Sequence, residues 1–109
     1  MIEQVKGTRN LFGADSAKYV HIFNTFCEAF IDYGYELVEL PILEHKELFI
    51  KSIGENSEIV TKQMYEFKDK GDRSLVLRPE ATASVVRFHN EFFKNESKKY
   101  AYFGKMYRY

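Results

Sequence analysis

Residues 75–88, LVLRPEATASVVRF, impose a change of periodicity across one short joint. Leu75, Val76 and Leu77 are a β-favouring run. Pro79 cannot donate to a ladder, so the strand must stop beside it. The small residues and Thr82 that follow lead into a helical segment. Upstream, MYEFK and SLVLR flank DKGDR, which contains Gly71 and reads as a β-hairpin with a five-residue connection. A hairpin that feeds directly into a helix leaves few architectures open. Residues 80–94 are expected to form that helix, with Val85, Phe88 or His89, and Phe92 on one side.

The remaining segments add to this unit. Tyr19, Ile22, Phe23, Phe26, Phe30 and Tyr33 recur at steps of three and four, the stripe of an amphipathic helix over 16–33. Asp15 or Ser16 suits its N-cap and Gly34 its stop. YELVEL reads as a strand closed by Pro41, HKELFIKSI as a short helix over 45–53, and GENS as a loop. EIVTKQ is ambiguous between helix and strand. NESKK reads as a turn, and YAYFGKMYRY as a last strand over 100–109. There is no internal repeat and no linker-like stretch. The order helix, strand, short helix, hairpin, helix, strand lacks regular βαβ alternation, so the expected fold is α+β with a mostly antiparallel sheet flanked by helices. A long aromatic strand at the end would present an open edge, a feature expected of a piece of something larger.

With 109 residues the chain is large enough for one small domain, and 29% charged against 45% hydrophobic residues argues against disorder. Net charge is zero but unevenly spread. Residues 1–60 carry five Lys and Arg against ten acids, and residues 61–109 carry eleven against six. The basic second half is either a solvated face or a surface that meets an anion such as phosphate. Cys27, the only cysteine, falls on the apolar helix face and reads as packing. His21, His45 and His89 lack metal-ligand spacing, so no metal is assigned. There is no signal-like apolar core and no run near the ~20 residues needed to span a bilayer, so a cytoplasmic location is expected.

Three residues stand out for chemistry. Glu80 and Thr82 flank the start of a helix, where the first backbone N–H groups lack partners. They either cap and complement that helix, or project from a rigid sheet end to accept hydrogen bonds from a cationic group such as an ammonium. Arg108, between Tyr107 and Tyr109, would lie on the sheet face opposite the two rings. There it is either a surface ion-pair member or a two-pronged ligand for carboxylate or phosphate.

Taken together these segments resemble the N-terminal part of the histidyl-tRNA synthetases, a family of class II aminoacyl-tRNA synthetases. The resemblance runs over nearly all of the chain. KGTRN is similar to that family's GTxD turn. Gly34, Tyr35, Val38, Pro41, Ile42 and Leu43 match the first class motif. IGENSEIVTKQMYEF resembles the segment before the hairpin, and LRPEATA is one residue from the family's LRPEGTA. FGKMYRY resembles the opening of the second class motif. Ala81 stands where the family usually has Gly, Asn10 where it usually has Asp, and Tyr33 where a basic residue is common. Ala81 is tolerable if its backbone is helical and costly if φ is positive.

The resemblance implies a partial class II catalytic domain spanning 1–109, and a parent enzyme, histidine–tRNA ligase, that uses ATP with Mg2+ to make histidyl-adenylate and charges tRNA. It implies that Glu80 and Thr82 hold the histidine ammonium. It also implies that Arg108 is the catalytic contact to the ATP α-phosphate and the histidine carboxylate, and that Gly34, Tyr35, Val38 and Pro41 belong to a homodimer interface. The rest of the second motif, the third motif, the imidazole-pocket motifs and the anticodon-binding domain have no counterpart in the sequence. The 109-residue polypeptide alone is therefore expected to be inactive. Two other readings are carried forward: the synthetase-like, non-catalytic regulatory subunit of ATP phosphoribosyltransferase, and a small self-associating aromatic domain.

Overall fold

The computed structural model describes residues 1–109, and the chain divides into two compact units, Met1–Tyr35 and Glu36–Tyr109. In the first unit, Gly7 (φ +84°) sits third in a four-residue turn closed by Thr8 N–H donating to Val5 O at 3.0 Å. That geometry requires a residue free to take positive φ. Helix α1 follows over Gly13–Asp32. The expected N-caps, Asp15 and Ser16, lie inside it. The helix begins after Phe12, whose extended backbone leads in without a side-chain cap, and Asp15 instead places negative charge in the first turn. The far end matches the sequence: Gly34 takes φ +76°, its N–H donates to Ile31 O at 3.0 Å, and Tyr35 N–H donates to Phe30 O at 3.1 Å. These paired bonds form a Schellman stop, which a left-handed glycine permits. Phe30 is the buried residue of the stripe, packed edge-on against Phe26 at 5.0 Å, and Cys27 is half-buried.

The second unit holds the sheets. Strands β1 (Glu36–Leu37) and β5 (Tyr100–Ala101) pair in parallel, with Glu36 opposite Tyr100. Strands β2 (Leu43–His45), β3 (Glu66–Lys68) and β4 (Ser74–Leu77) form an antiparallel sheet in the order β2-β4-β3. The hairpin expected from DKGDR is present, with Phe67 opposite Leu75. Its positive φ falls on Asp72 (62°), not on Gly71. The strand expected from YELVEL is shorter than foreseen, and Pro41 precedes β2 instead of closing β1.

Helix α2 (Lys46–Ile53) ends at Gly54, φ +108°. Ile59–Gln63 is a π-helical turn, entered with Val60 N–H donating to Ser57 Oγ at 3.2 Å. Helix α3 spans Thr82–Phe92. Phe49, Val60, Val76 and Ala83 are the buried core, with Leu48, Ile50, Ile53 and Met64 against it. Phe49 and Val76 have no exposed surface, so one residue from α2 and one from β4 anchor the helix on the sheet.

The last strand needs correction. Regular pairing stops at Ala101. Beyond it the backbone makes isolated bonds to different partners, Tyr107 N–H to Arg78 O at 3.0 Å and Tyr109 N–H to Gln63 O at 2.8 Å. Arg108 therefore does not sit on a sheet face fixed by strand alternation.

Candidate functional site

The joint after β4 is built by Arg78, Pro79 and Glu80. Glu80 does not wait for a ligand to be positioned. Its Oε2 accepts the Thr82 N–H at 2.6 Å, and its Oε1 accepts the Ala83 N–H at 3.1 Å. The first N–H groups of α3 thus find the partner that a helix start otherwise lacks. Thr82 does not cap. It is the first helical residue, and its hydroxyl is 3.0 Å from the Tyr102 hydroxyl. Ala81 has φ −110° and ψ −18°, so a Cβ is accepted there without strain.

Capping does not exhaust the Glu80 carboxylate. An ionised carboxylate has about four acceptor positions, and the helix N–H groups take two of them. Glu80 and Thr82 line an open groove of about 640 Å³ between α2 and α3, together with Lys51, Ser52, Arg87 and Asn90. The structure therefore presents a rotamer-locked carboxylate next to a hydroxyl, an arrangement able to accept hydrogen bonds from an ammonium.

Arg108 is not among the residues lining that groove. Its Nε donates to Pro79 O at 3.1 Å, one residue from Glu80 along the chain, and its two Nη groups remain for other acceptors. Of the other residues singled out from sequence, Gly34 and Tyr35 form the Schellman stop of α1, Val38 is buried, and Pro41 is exposed.

Sequence reasoning missed two arginines that build this region. Arg78 is buried at 7% exposure, and its guanidinium donates to Lys105 O at 3.0 Å and Leu40 O at 3.1 Å. Strand periodicity carried the signal, because Arg78 lies two residues beyond buried Val76 and so shares its inward face. Arg87 forms a two-pronged pair with the buried Glu44 carboxylate, Nη2 to Oε1 at 2.8 Å and Nε to Oε2 at 3.0 Å, and Nη1 reaches Glu91 at 3.1 Å. No local pattern announces a pair 43 positions apart. No group of three or more His, Cys, Asp or Glu gathers in a way that could hold a metal ion. No helix is long and apolar enough to cross a membrane.

Comparison with known proteins agrees with the motif reading. The histidyl-tRNA synthetase family model matches residues 7–109. The histidine–tRNA ligase of Maridesulfovibrio salexigens is 44% identical over 111 residues, covering 99% of this chain and 27% of that protein. That of Thermosipho melanesiensis is 44% identical over 115 residues, covering 100% and 27%. The chain therefore spans about a quarter of the length of these relatives. Among solved structures, apo S. aureus histidyl-tRNA synthetase superposes with a TM-score of 0.81 at 38% identity, covering 99% of this chain and 26% of that one. A Bacillus halodurans protein described as an ATP phosphoribosyltransferase regulatory subunit/histidyl-tRNA synthetase superposes with a TM-score of 0.81 at 27% identity, covering 99% and 28%. With the family model matched from Gly7 to the last residue, the chain belongs to the histidyl-tRNA synthetase family.

Proposed function

We propose that this chain forms the part of a histidine–tRNA ligase that grips the backbone of the amino acid and the α-phosphate of ATP. The observation that carries the reading is the Glu80 carboxylate, pinned on two helix N–H groups beside the Thr82 hydroxyl while keeping acceptor capacity toward the groove. Histidine's ammonium binds Glu80 and Thr82. Its carboxylate then attacks the α-phosphorus of ATP, a P–O bond forms, the bond to the β-phosphate side breaks, and pyrophosphate leaves. Both reactants are anionic where they meet. The free Nη groups of Arg108 lie between the carboxylate and the α-phosphate and offset the charge that develops. Holding the reactants together is itself worth roughly 7–11 kcal/mol in favourable cases. The adenylate next passes its histidyl group to the 3′ end of tRNA, releasing AMP. Magnesium enters with the phosphates of ATP, as part of the substrate.

In this proposal the protein works in the cytoplasm as a homodimer, with the interface around Gly34, Tyr35, Val38 and Pro41. The identity to ligases, 44% and 38%, against 27% to the protein described as a regulatory subunit, favours the ligase over that alternative. The test is histidine-dependent ATP–pyrophosphate exchange by the full-length gene product. Exchange that requires histidine is the expected result. No exchange, together with a change in the activity of an ATP phosphoribosyltransferase when the protein is added, would establish the regulatory reading instead.

A further inference from the structure

Arg78 is a buried cation to which no carboxylate in the chain is paired, an unusual arrangement for a residue type that is almost never buried unless paired. Its charge is met by two backbone carbonyls that belong to different segments, Leu40 O ahead of β2 and Lys105 O beyond β5. The backbone of the same residue makes two more links, its N–H to Ile42 O at 2.9 Å and its carbonyl to Tyr107 N–H at 3.0 Å. Gly104 leaves the space this needs, since a Cβ there would lie 2.6 Å from Arg78 Nη2. Four bonds therefore converge on one residue, and two of them fix the segment 105–107 that carries Arg108.

We propose that Arg78 is the positioning residue that sets Arg108 against the α-phosphate, acting through Lys105 and Tyr107 without touching the substrate. This inference rests on the ligase reading of Arg108. The geometry separates the two substrate-gripping groups. Glu80 is held by N–H groups of α3 and needs nothing from the Arg78 side chain. Arg108 has one side-chain anchor, on Pro79 O. Its backbone is held between two bonds, Tyr107 N–H to Arg78 O before it and Tyr109 N–H to Gln63 O after it. The Arg78 guanidinium braces the first of these sides through Lys105 O. Lysine at position 78 keeps the charge but loses the fork that spans two carbonyls.

The test uses the full-length gene product and reads kcat and histidine KM of pyrophosphate exchange alongside thermal melting. Arg78→Lys is expected to lower kcat on the order of 100-fold, the scale of a 1 Å misplacement at a reacting centre. Histidine KM should rise far less, because the Glu80 grip on the ammonium is intact while Arg108 shares the carboxylate, and the melting temperature should fall only modestly, from the two carbonyls left without their donor. Gly104→Ala, which crowds the guanidinium from its other side, is expected to give the same split with Arg78 in place. Added to Arg78→Lys it should do little more, since Nη2 is then gone. An unchanged kcat in both single variants would overturn the proposal. So would a parallel loss of kcat, histidine affinity and melting temperature, which marks a residue needed only for folding. A wild-type protein without histidine-dependent exchange would remove the ligase reading itself, an outcome visible before any variant is compared.

Discussion

At the scale of single residues, one carboxylate caps a helix and, in the proposed function, also grips the ligand. The sequence offered capping and ammonium binding for Glu80 as alternatives, and the geometry makes them compatible, because the two helix N–H groups use only part of its acceptor capacity. The substitutions that separate the roles are therefore Gln and Ala. Glu80→Gln keeps an oxygen for the helix but loses the charge. It is expected to raise the histidine KM about 10- to 100-fold, the value of one charge-assisted bond of roughly 1.5–3 kcal/mol, with little change in melting temperature. Glu80→Ala should in addition destabilise the fold by about 1 kcal/mol, as loss of a helix cap does. An unchanged KM in both variants would leave Glu80 a cap alone. The Glu80 role could be framed from LRPEATA, because a helix start after a strand is a local event. For Arg78 the inward direction was legible from strand alternation, but its partners were not, since they lie 38 and 27 positions away and become visible only once the segments are brought together.

At the scale of elements, the hairpin and the end of α1 were legible because each is closed by local chemistry. Asp69 ties the DKGDR loop, accepting Gly71 N–H and Arg73 N–H at 2.9 Å each on Oδ1, and Arg73 Nε at 2.7 Å on Oδ2. The backbone bond from Arg73, helped by its guanidinium, holds the Asp69 carboxyl below its ordinary value of 3.8. A depressed folded value means that the native state binds fewer protons, so this contribution is present above pH 3.8 and fades as the pH falls below it. Asp69→Asn should therefore weaken the protein at neutral pH, and the gap from wild type should close in acid. Urea melts at both pH values measure it, and a gap that is the same in acid would contradict the assignment. By contrast, β2, three residues long, and the π-helical turn, five residues long, are too short for any period to register. The last strand was over-extended for the opposite reason: its aromatic run satisfies β-propensity, but no neighbouring strand continues the ladder beyond Ala101. The Glu44–Arg87 pair joins β2 to α3. Arg87→Met leaves a carboxylate at 6% exposure without its cation and should cost about 3 kcal/mol. Adding Glu44→Gln should recover part of that loss in denaturant melts.

At the scale of the whole molecule, the excess acid of the first half and the excess base of the second are partly matched inside the fold, as Arg87 and Glu44 show. The chain spans about a quarter of the length of its relatives. The full-length gene product is expected to sediment as a homodimer, with exposed Tyr35, Leu37, Ile42 and Leu43 near the proposed interface. A monomer at micromolar concentration would remove the interface assignment. The 109-residue polypeptide by itself is expected to show no pyrophosphate exchange, because it spans only about a quarter of the length of the ligases it resembles. The most direct test of the account is a crystal structure of the full-length product with histidinol and ATP. It should place the amino group within hydrogen-bonding distance of Glu80 and the α-phosphate on the Nη groups of Arg108. Ligands bound with Glu80 and Arg108 on opposite sides of the molecule, or touching neither, would contradict it.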